Sequence, residues 1–277
     1  MRSPIGRPAK FPLASGDRVT ASLQSIRKFL DEFLRIDEAP DAPHALNGLQ
    51  VENRGTVGSI VAAVDATQAT IDGVVASLSG SDAEGPPLLV VHHGLFWDGN
   101  LPVTERRYRR LKALIDHDIA LYAAHIPLDV HPEVGNNAVL GRRLGLTSVE
   151  PFGDYRGIAI GVSGNLATHR AALMEKVDKL LGGSSVLVPG GPEETSRLAV
   201  VTGAAGNLIH AAREAGCDTF LTGEGNHHTY FDAMEYGVNL IFAGHYATEH
   251  LGVRALAEHL AAHFDLPWEF HDHPTGM

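Results

Sequence analysis

Cysteine is almost absent: the 277 residues include one, Cys217. That excludes an intramolecular disulfide and any thiolate-rich metal site, and Cys217 reads as a small packing residue. Long apolar runs are missing too. No stretch approaches the roughly 20 residues that a bilayer-spanning helix needs, and nothing near the start has the apolar core of a signal peptide. The expectation is therefore a cytoplasmic protein. Basic residues are scarce relative to acidic ones, 22 against 33, for a net charge of −11. This balance argues against a general nucleic-acid surface. Aromatics make up only 6%, while the 44% hydrophobic content is ordinary for a globular chain.

Histidine is abundant, with sixteen copies. With thiolates excluded, a site built of imidazole and carboxylate is the natural expectation. The stretch Leu88 to Trp97 shows it best: an apolar run meets His92-His93-Gly94. The run reads as a buried strand. Neighbouring strand residues point to opposite faces, so a shared site for both histidines predicts that the strand has already ended before them.

In chain order, residues 1–20 hold Pro4, Pro8, Pro12 and scattered basic residues, and read as a disordered tail. Ala21 to Leu34 places Leu23, Ile26, Leu30 and Phe33 at helical spacing. Strands are expected at Ser59–Val64, Leu88–Val91 and Ile119–Ala124, with helices at Ala69–Leu78 and Thr104–His117 between them. The arginines of the latter read as a solvated face. Further on, strands are expected at Gly157–Gly164 and Ser185–Val188 around a helix at Ala167–Leu181. The Pro189–Pro192 loop lacks the lysine and following helix of a phosphate cradle. Alternating strands and helices imply an α/β fold with mostly parallel sheets covered by helices.

The pattern then returns. Val61–Asp65 is echoed by Leu198–Thr202, Val90–Gly94 by Leu221–Gly225, and Leu121–Asp129 by Ile241–Glu249. This predicts two related α/β halves, 21–152 and 153–277, with a site between them. Both copies of the last echo carry His-x-x-x-acid: His125 to Asp129, and His245 to Glu249. In the second copy a helix follows, and residues four apart on a helix share a face. Pro127 makes the first copy a loop or a single helical turn. His92, His93, Asp129, His245 and Glu249 all lie at or just after strand ends, where parallel sheets form sites. Three imidazoles and two carboxylates exceed what one tetrahedral ion needs. They suit two divalent ions with a bridging carboxylate. Zinc, iron and manganese all fit such donors.

The ordered set Asn47-Gly48-Leu49-Gln50-Val51-Glu52, His92-His93-Gly94, His125-Ile126-Pro127-Leu128-Asp129, Gly135-Asn136-Asn137, Thr222-Gly223-Glu224 and Gly244-His245 with Thr248-Glu249 closely resembles the Nif-three-like dinuclear-metal family. Its members are called GTP cyclohydrolase I type 2 homologues. The resemblance covers roughly Ala21 to the C-terminus. It implies a three-layer α/β duplication, a ring-shaped homohexamer and the short form without an inserted domain. It also implies that His93 and Asp129 hold one ion, His92 and His245 the other, and Glu249 bridges. Gly94 stands where many members carry proline.

Two ions flanking a bridging carboxylate suit a metal-dependent hydrolase of a small molecule. The resemblance implies opening of a purine nucleotide ring, as in GTP cyclohydrolase. With Asp129 and Glu249 engaged as ligands, Glu224 and His125 are the candidates for proton transfer. The alternative is a metal-binding scaffold or regulatory protein without turnover. His227 and His228 are candidate pocket residues, and His271-Asp272-His273 reads as a mobile polar tail.

Overall fold

A computed structural model describes residues 20–78, 80 and 84–276; the expected disordered tail lies almost wholly outside the described residues. In chain order the elements are β1 (Ala21–Ser22), α1 (Leu23–Phe33), β2 (Gly48–Val51), β3 (Thr56–Val57), β4 (Ser59–Asp65), α2 (Gln68–Leu78), β5 (Pro87–His93), α3 (Glu105–Asp116), β6 (Ala120–Ala123), α4 (Ile126–Asp129) and α5 (Asn136–Leu144). There follow β7 (Thr147–Tyr155), β8 (Ile158–His169), α6 (Arg170–Leu181), β9 (Val186–Pro189), β10 (Glu194–Val201), α7 (Ile209–Glu214), β11 (Thr219–Thr222), α8 (Thr229–Tyr236), β12 (Asn239–Phe242), α9 (His245–Phe264) and β13 (Trp268–Phe270).

Two mixed sheets carry the fold. One has the order β13-β4-β5-β6-β2 and the other β7-β8-β10-β11-β12-β9. Each is centred on three parallel strands, β4-β5-β6 and β10-β11-β12. In each, a strand that precedes the trio in sequence pairs antiparallel with its last member: β2 with β6, and β9 with β12. Both halves therefore run helix, strand, strand, helix, strand, helix, strand in one topology. The internal echo in the sequence is the trace of this repeat.

Side-chain alternation explains the layers. Ile60, Ala62, Val64, Leu88, Val90 and Tyr122 pack on α1 and on Val253, Leu256 and Leu260 of α9. Their neighbours Val61, Ala63, Leu89, Val91 and Leu121 pack on α2 and α3. In the second sheet Leu198, Val200, Leu221 and Ile241 meet α5, α6 and Leu251 of α9. Ala199, Val201, Phe220 and Leu240 meet α7 and α8, with buried Cys217 in the same cluster. Each half is thus a three-layer α/β/α unit, and α9 serves the inner layer of both.

Several local expectations need correction. The apolar strand β5 does not stop before the histidine pair but runs through His93. Strand β8 continues to His169, so α6 begins at Arg170 instead of Ala167. Thr168 and His169 pair with Thr195 and Glu194 of β10, and the His169 ring then accepts the Ala171 N–H as the helix cap. The arginines of α3 are not all solvated. Arg107 is buried and donates to Asp98 and to the carbonyls of Leu101 and Gly99. The segment 271–273 is tied down: the Tyr246 hydroxyl donates to Asp272 and accepts from the His273 N–H. The expected boundary at 152/153 falls inside β7, and β13 pairs with β4 of the other half. The chain is thus already in the second sheet before residue 152, and it returns to the first sheet at β13.

Because α9 supports both sheets, truncating its core face should be felt globally. Leu256→Ala removes a fully buried side chain between α9 and the first sheet and is expected to cost about 2–5 kcal/mol in urea unfolding. A loss below about 1 kcal/mol would contradict this packing.

Candidate metal centre

The carboxyl ends of both parallel trios face one cavity of about 650 Å³. From the first half, β5 delivers His92 and His93, and the chain leaving β6 delivers His125 and then Asp129 on the single turn α4. From the second half, β12 leads through Gly244 into α9, whose first residue is His245 and fifth Glu249. Adjacent strand residues diverge, so His92 lies on the inner face and is fully buried while His93 is half-buried. Because the strand ends there, both rings overhang the sheet edge, with centroids 4.7 Å apart.

Glu249 joins the set. It is 3% exposed. Its Oε1 lies 3.6 Å from His92 Nε2, and its Oε2 lies 3.4 Å from His93 Nε2 and 3.1 Å from His245 Nε2. Asp129 Oδ2 is 3.5 Å from His92 Nε2. The donor atoms of His93, His245 and Glu249 cluster tightly, as do the ring nitrogens of His92, His93 and His125. The proximities therefore differ from the pairing that the resemblance implied. His92 groups with Asp129, and His93 with His245, on opposite oxygens of Glu249. His125, expected as a proton carrier or as a residue orienting Asp129 or a substrate, stands close enough to offer a ligand atom.

Each imidazole is oriented from behind. His92 Nδ1 donates to the Ala124 carbonyl at 2.9 Å. His93 Nδ1 donates to Asp65, His125 Nδ1 to Asp41, and His245 Nδ1 to Glu224, at 2.8, 2.8 and 2.7 Å. A donor bond at Nδ1 leaves the Nε2 lone pair toward the centre, the arrangement in which an imidazole binds metal. Asp65 reaches His93 because the two residues are in direct register on β4 and β5. Glu224 follows β11 as His245 follows β12, so it becomes the brace of a candidate ligand. Asp41, held by the N–H groups of Ala42 and Ile126 and by Asn47, is a loop residue that the sequence reading did not single out.

The Gly-Asn-Asn motif clasps the halves together. Asn136 donates to Asp129 Oδ1 at 2.8 Å and accepts the Gly252 N–H of α9 at 2.6 Å. Asn137 accepts the Thr202 N–H and donates to the Ile160 carbonyl. Gly135 is required because a Cβ there would stand 2.3 Å from the His131 carbonyl oxygen. Gly203, also missed, has φ +69, and a Cβ on it would lie 2.3 Å from Glu249 Oε1. His227 and His228 are exposed and lie outside the cavity wall.

The electrostatics show what the site is suited to bind. His92 Nε2 and Glu249 Oε2 are buried without a hydrogen-bond partner. Burial opposes charge on His92, yet the carboxylates of Asp129 and Glu249 overcome it and push its pKa up to about 10. Glu249, and more weakly Glu224, push His245 up to about 9. Burial would raise the Glu249 pKa, but His92, His245 and His93 hold it far below the carboxylate range. Unpartnered buried donor atoms and converging Nε2 lone pairs fit a divalent cation, which would take the place of the protons.

The family assignment follows from the match. The sequence matches the Duf34/NIF3 (NGG1p interacting factor 3) family over residues 21–275. The chain belongs to that family. A "GTP cyclohydrolase 1 type 2 homolog" of Deinococcus radiodurans is 44% identical, covering 90% of this chain and 92% of the relative. One from Halobacterium salinarum is 45% identical, covering 88% and 95%. The crystal structure of TTHA1606 from Thermus thermophilus superposes with a TM-score of 0.83 at 38% identity, covering 93% of this chain and all of that one. No helix among the described residues of this NIF3 chain is long and apolar enough to cross a membrane.

Two outcomes test the centre. At pH 7.5 the metal-free protein holds protons on His92 and His245, so zinc uptake should release about two protons per chain. Calorimetry in buffers of different ionisation enthalpy measures this, and release near zero would contradict it. Gly203→Ala should cut bound metal at least about tenfold by displacing Glu249, within the range seen when groups that orient ligands are lost. Elemental analysis giving full occupancy would show that the close approach does not matter.

Proposed function

We propose that the protein is a metal-dependent hydrolase with two divalent ions per chain, acting on a small molecule in the cavity between its halves. The observation that carries this reading is the division of labour at Glu249. One carboxylate oxygen faces His92 and the other faces His93 and His245. In this reading His92, Asp129 and Glu249 would hold one ion, while His93, His245 and Glu249 would hold the other. Such a pair of ions would supply polarisation of a substrate oxygen or nitrogen and hydroxide at neutral pH.

The protein's own groups do the rest. Asp65, Glu224 and the Ala124 carbonyl fix the three ligand rings in one tautomer. Trp97 stands edge-on to His93 and to His125, with centroids 5.9 and 4.8 Å away, and closes one side of the cavity. Tyr155, Ile160, Val201 and Leu208 supply an apolar wall that orients a substrate and limits water. His125, braced by Asp41, faces the same space and is the proton carrier of this proposal. The relatives' name, GTP cyclohydrolase 1 type 2 homolog, supports hydrolytic opening of a purine ring as the reaction type.

The test is turnover of a panel of purine nucleosides, GTP, cyclic amides and simple esters by remetallated protein, with metal content measured on the same samples. Metal-dependent turnover that falls at least about a hundredfold in Glu249→Ala is expected. Two ions per chain with no turnover across the panel would favour a scaffold or regulatory role instead.

A further inference from the structure

The cavity carries an unusual charge balance. Asp65, Asp129, Asp154 and Glu249 line it, and Asp41 and Glu224 stand directly behind His125 and His245. Among the described residues, no lysine or arginine lines it. The guanidinium next to its aromatic wall is already engaged: Arg156 lies over the Tyr155 ring, 5.4 Å from its centroid, and donates to the Asp41 carbonyl. Histidines that ligate metal are neutral. The six carboxylates therefore exceed the four positive charges that two divalent ions would bring, and the site stays negative even when loaded.

A polyphosphate needs the opposite. Triphosphate sites supply lysine, arginine or rows of backbone N–H groups beyond the metal itself. Here the wall away from the candidate ligands is mostly apolar and aromatic (Trp97, Tyr155, Ile160, Val201 and Leu208), and its polar members Thr202 and Asn207 are uncharged. A cavity of about 650 Å³ suits a molecule of nucleoside size.

We propose that the cavity takes an uncharged, planar heterocycle of nucleobase or nucleoside size, and that it discriminates against nucleoside triphosphates. The reacting bond is a ring C–N bond: water's hydroxyl adds to the carbon, the C–N bond breaks, and water's remaining proton goes to the departing nitrogen. This choice of bond rests on the hydrolase reading, whereas the charge preference rests on the carboxylates that line and back the cavity and on the absence of a lysine or arginine from its lining among the described residues. Asp154, exposed at the edge of the cavity, is the carboxylate that neither ligates nor braces an imidazole, and it sets the preference without belonging to the centre.

Calorimetric titration of guanosine and of GTP, at fixed ionic strength and free magnesium, tests the proposal on zinc-loaded and metal-free protein. Guanosine should bind at least about tenfold more tightly than GTP in both forms. Asp154→Lys should narrow the gap by about tenfold through GTP affinity, leaving guanosine within about twofold. GTP binding as tightly as guanosine, an unchanged gap in Asp154→Lys, or no binding of either ligand would each overturn the proposal. Zinc content on the same samples separates the two readings. Protein that takes up no zinc defeats the hydrolase, yet the ranking of the two ligands on it still decides the charge preference.

Discussion

A carboxylate buried to 3% exposure, with imidazoles beside both of its oxygens, is the constraint on which the rest of the structure depends. Burying an ionised carboxylate is costly unless it is paired. Its partners come from both halves of the chain: His92 and His93 from the first sheet, His245 from the helix that carries Glu249 itself. Neither half can satisfy Glu249 alone. The charge network therefore fixes the relative placement of the halves as well as the chemistry of the centre.

The fold is arranged to hold that carboxylate. Helix α9 packs on both sheets, so its first turn is delivered to the point where the carboxyl ends of the strands converge. Thr248 accepts the Gly203 N–H, while the Gly203 carbonyl accepts from Thr222, Gly223 and Glu224. Asn136 ties the same helix to Asp129. The duplication also diverged usefully. His93 of the first copy corresponds to Glu224 of the second, and there the carboxylate braces His245. One topology used twice thus supplies candidate ligands and their braces from both copies: His93 with Asp65 from the first, and His245 with Glu224 from the second.

Much of this was legible in the sequence, for identifiable reasons. The metal candidates announced themselves because each lies at or just after the end of an apolar strand, and because His-x-x-x-acid places two donors on one helical face. The parallel trios were legible from their apolar runs and from the echo of the first trio in the second. The braces were harder. Asp41 lies in a loop 84 residues before His125, and no local pattern links them. Asp65 had a signal in hindsight, an acid ending a strand next to the histidine strand, but pairing depends on register. Strand β7 was invisible: it is a largely exposed edge strand containing Pro151 and Gly153, without clean alternation. Gly203 could not be found, since its role is a close approach set by tertiary packing.

The central claim is the two-ion centre proposed above, which the geometry around Glu249 supports. Anomalous diffraction from crystals of the zinc-loaded protein tests it most directly. Two peaks about 3.5–4 Å apart are expected, one on each side of the Glu249 carboxylate, with His92 and Asp129 on one and His93 and His245 on the other. A single peak, or peaks away from Glu249, would contradict the centre described here.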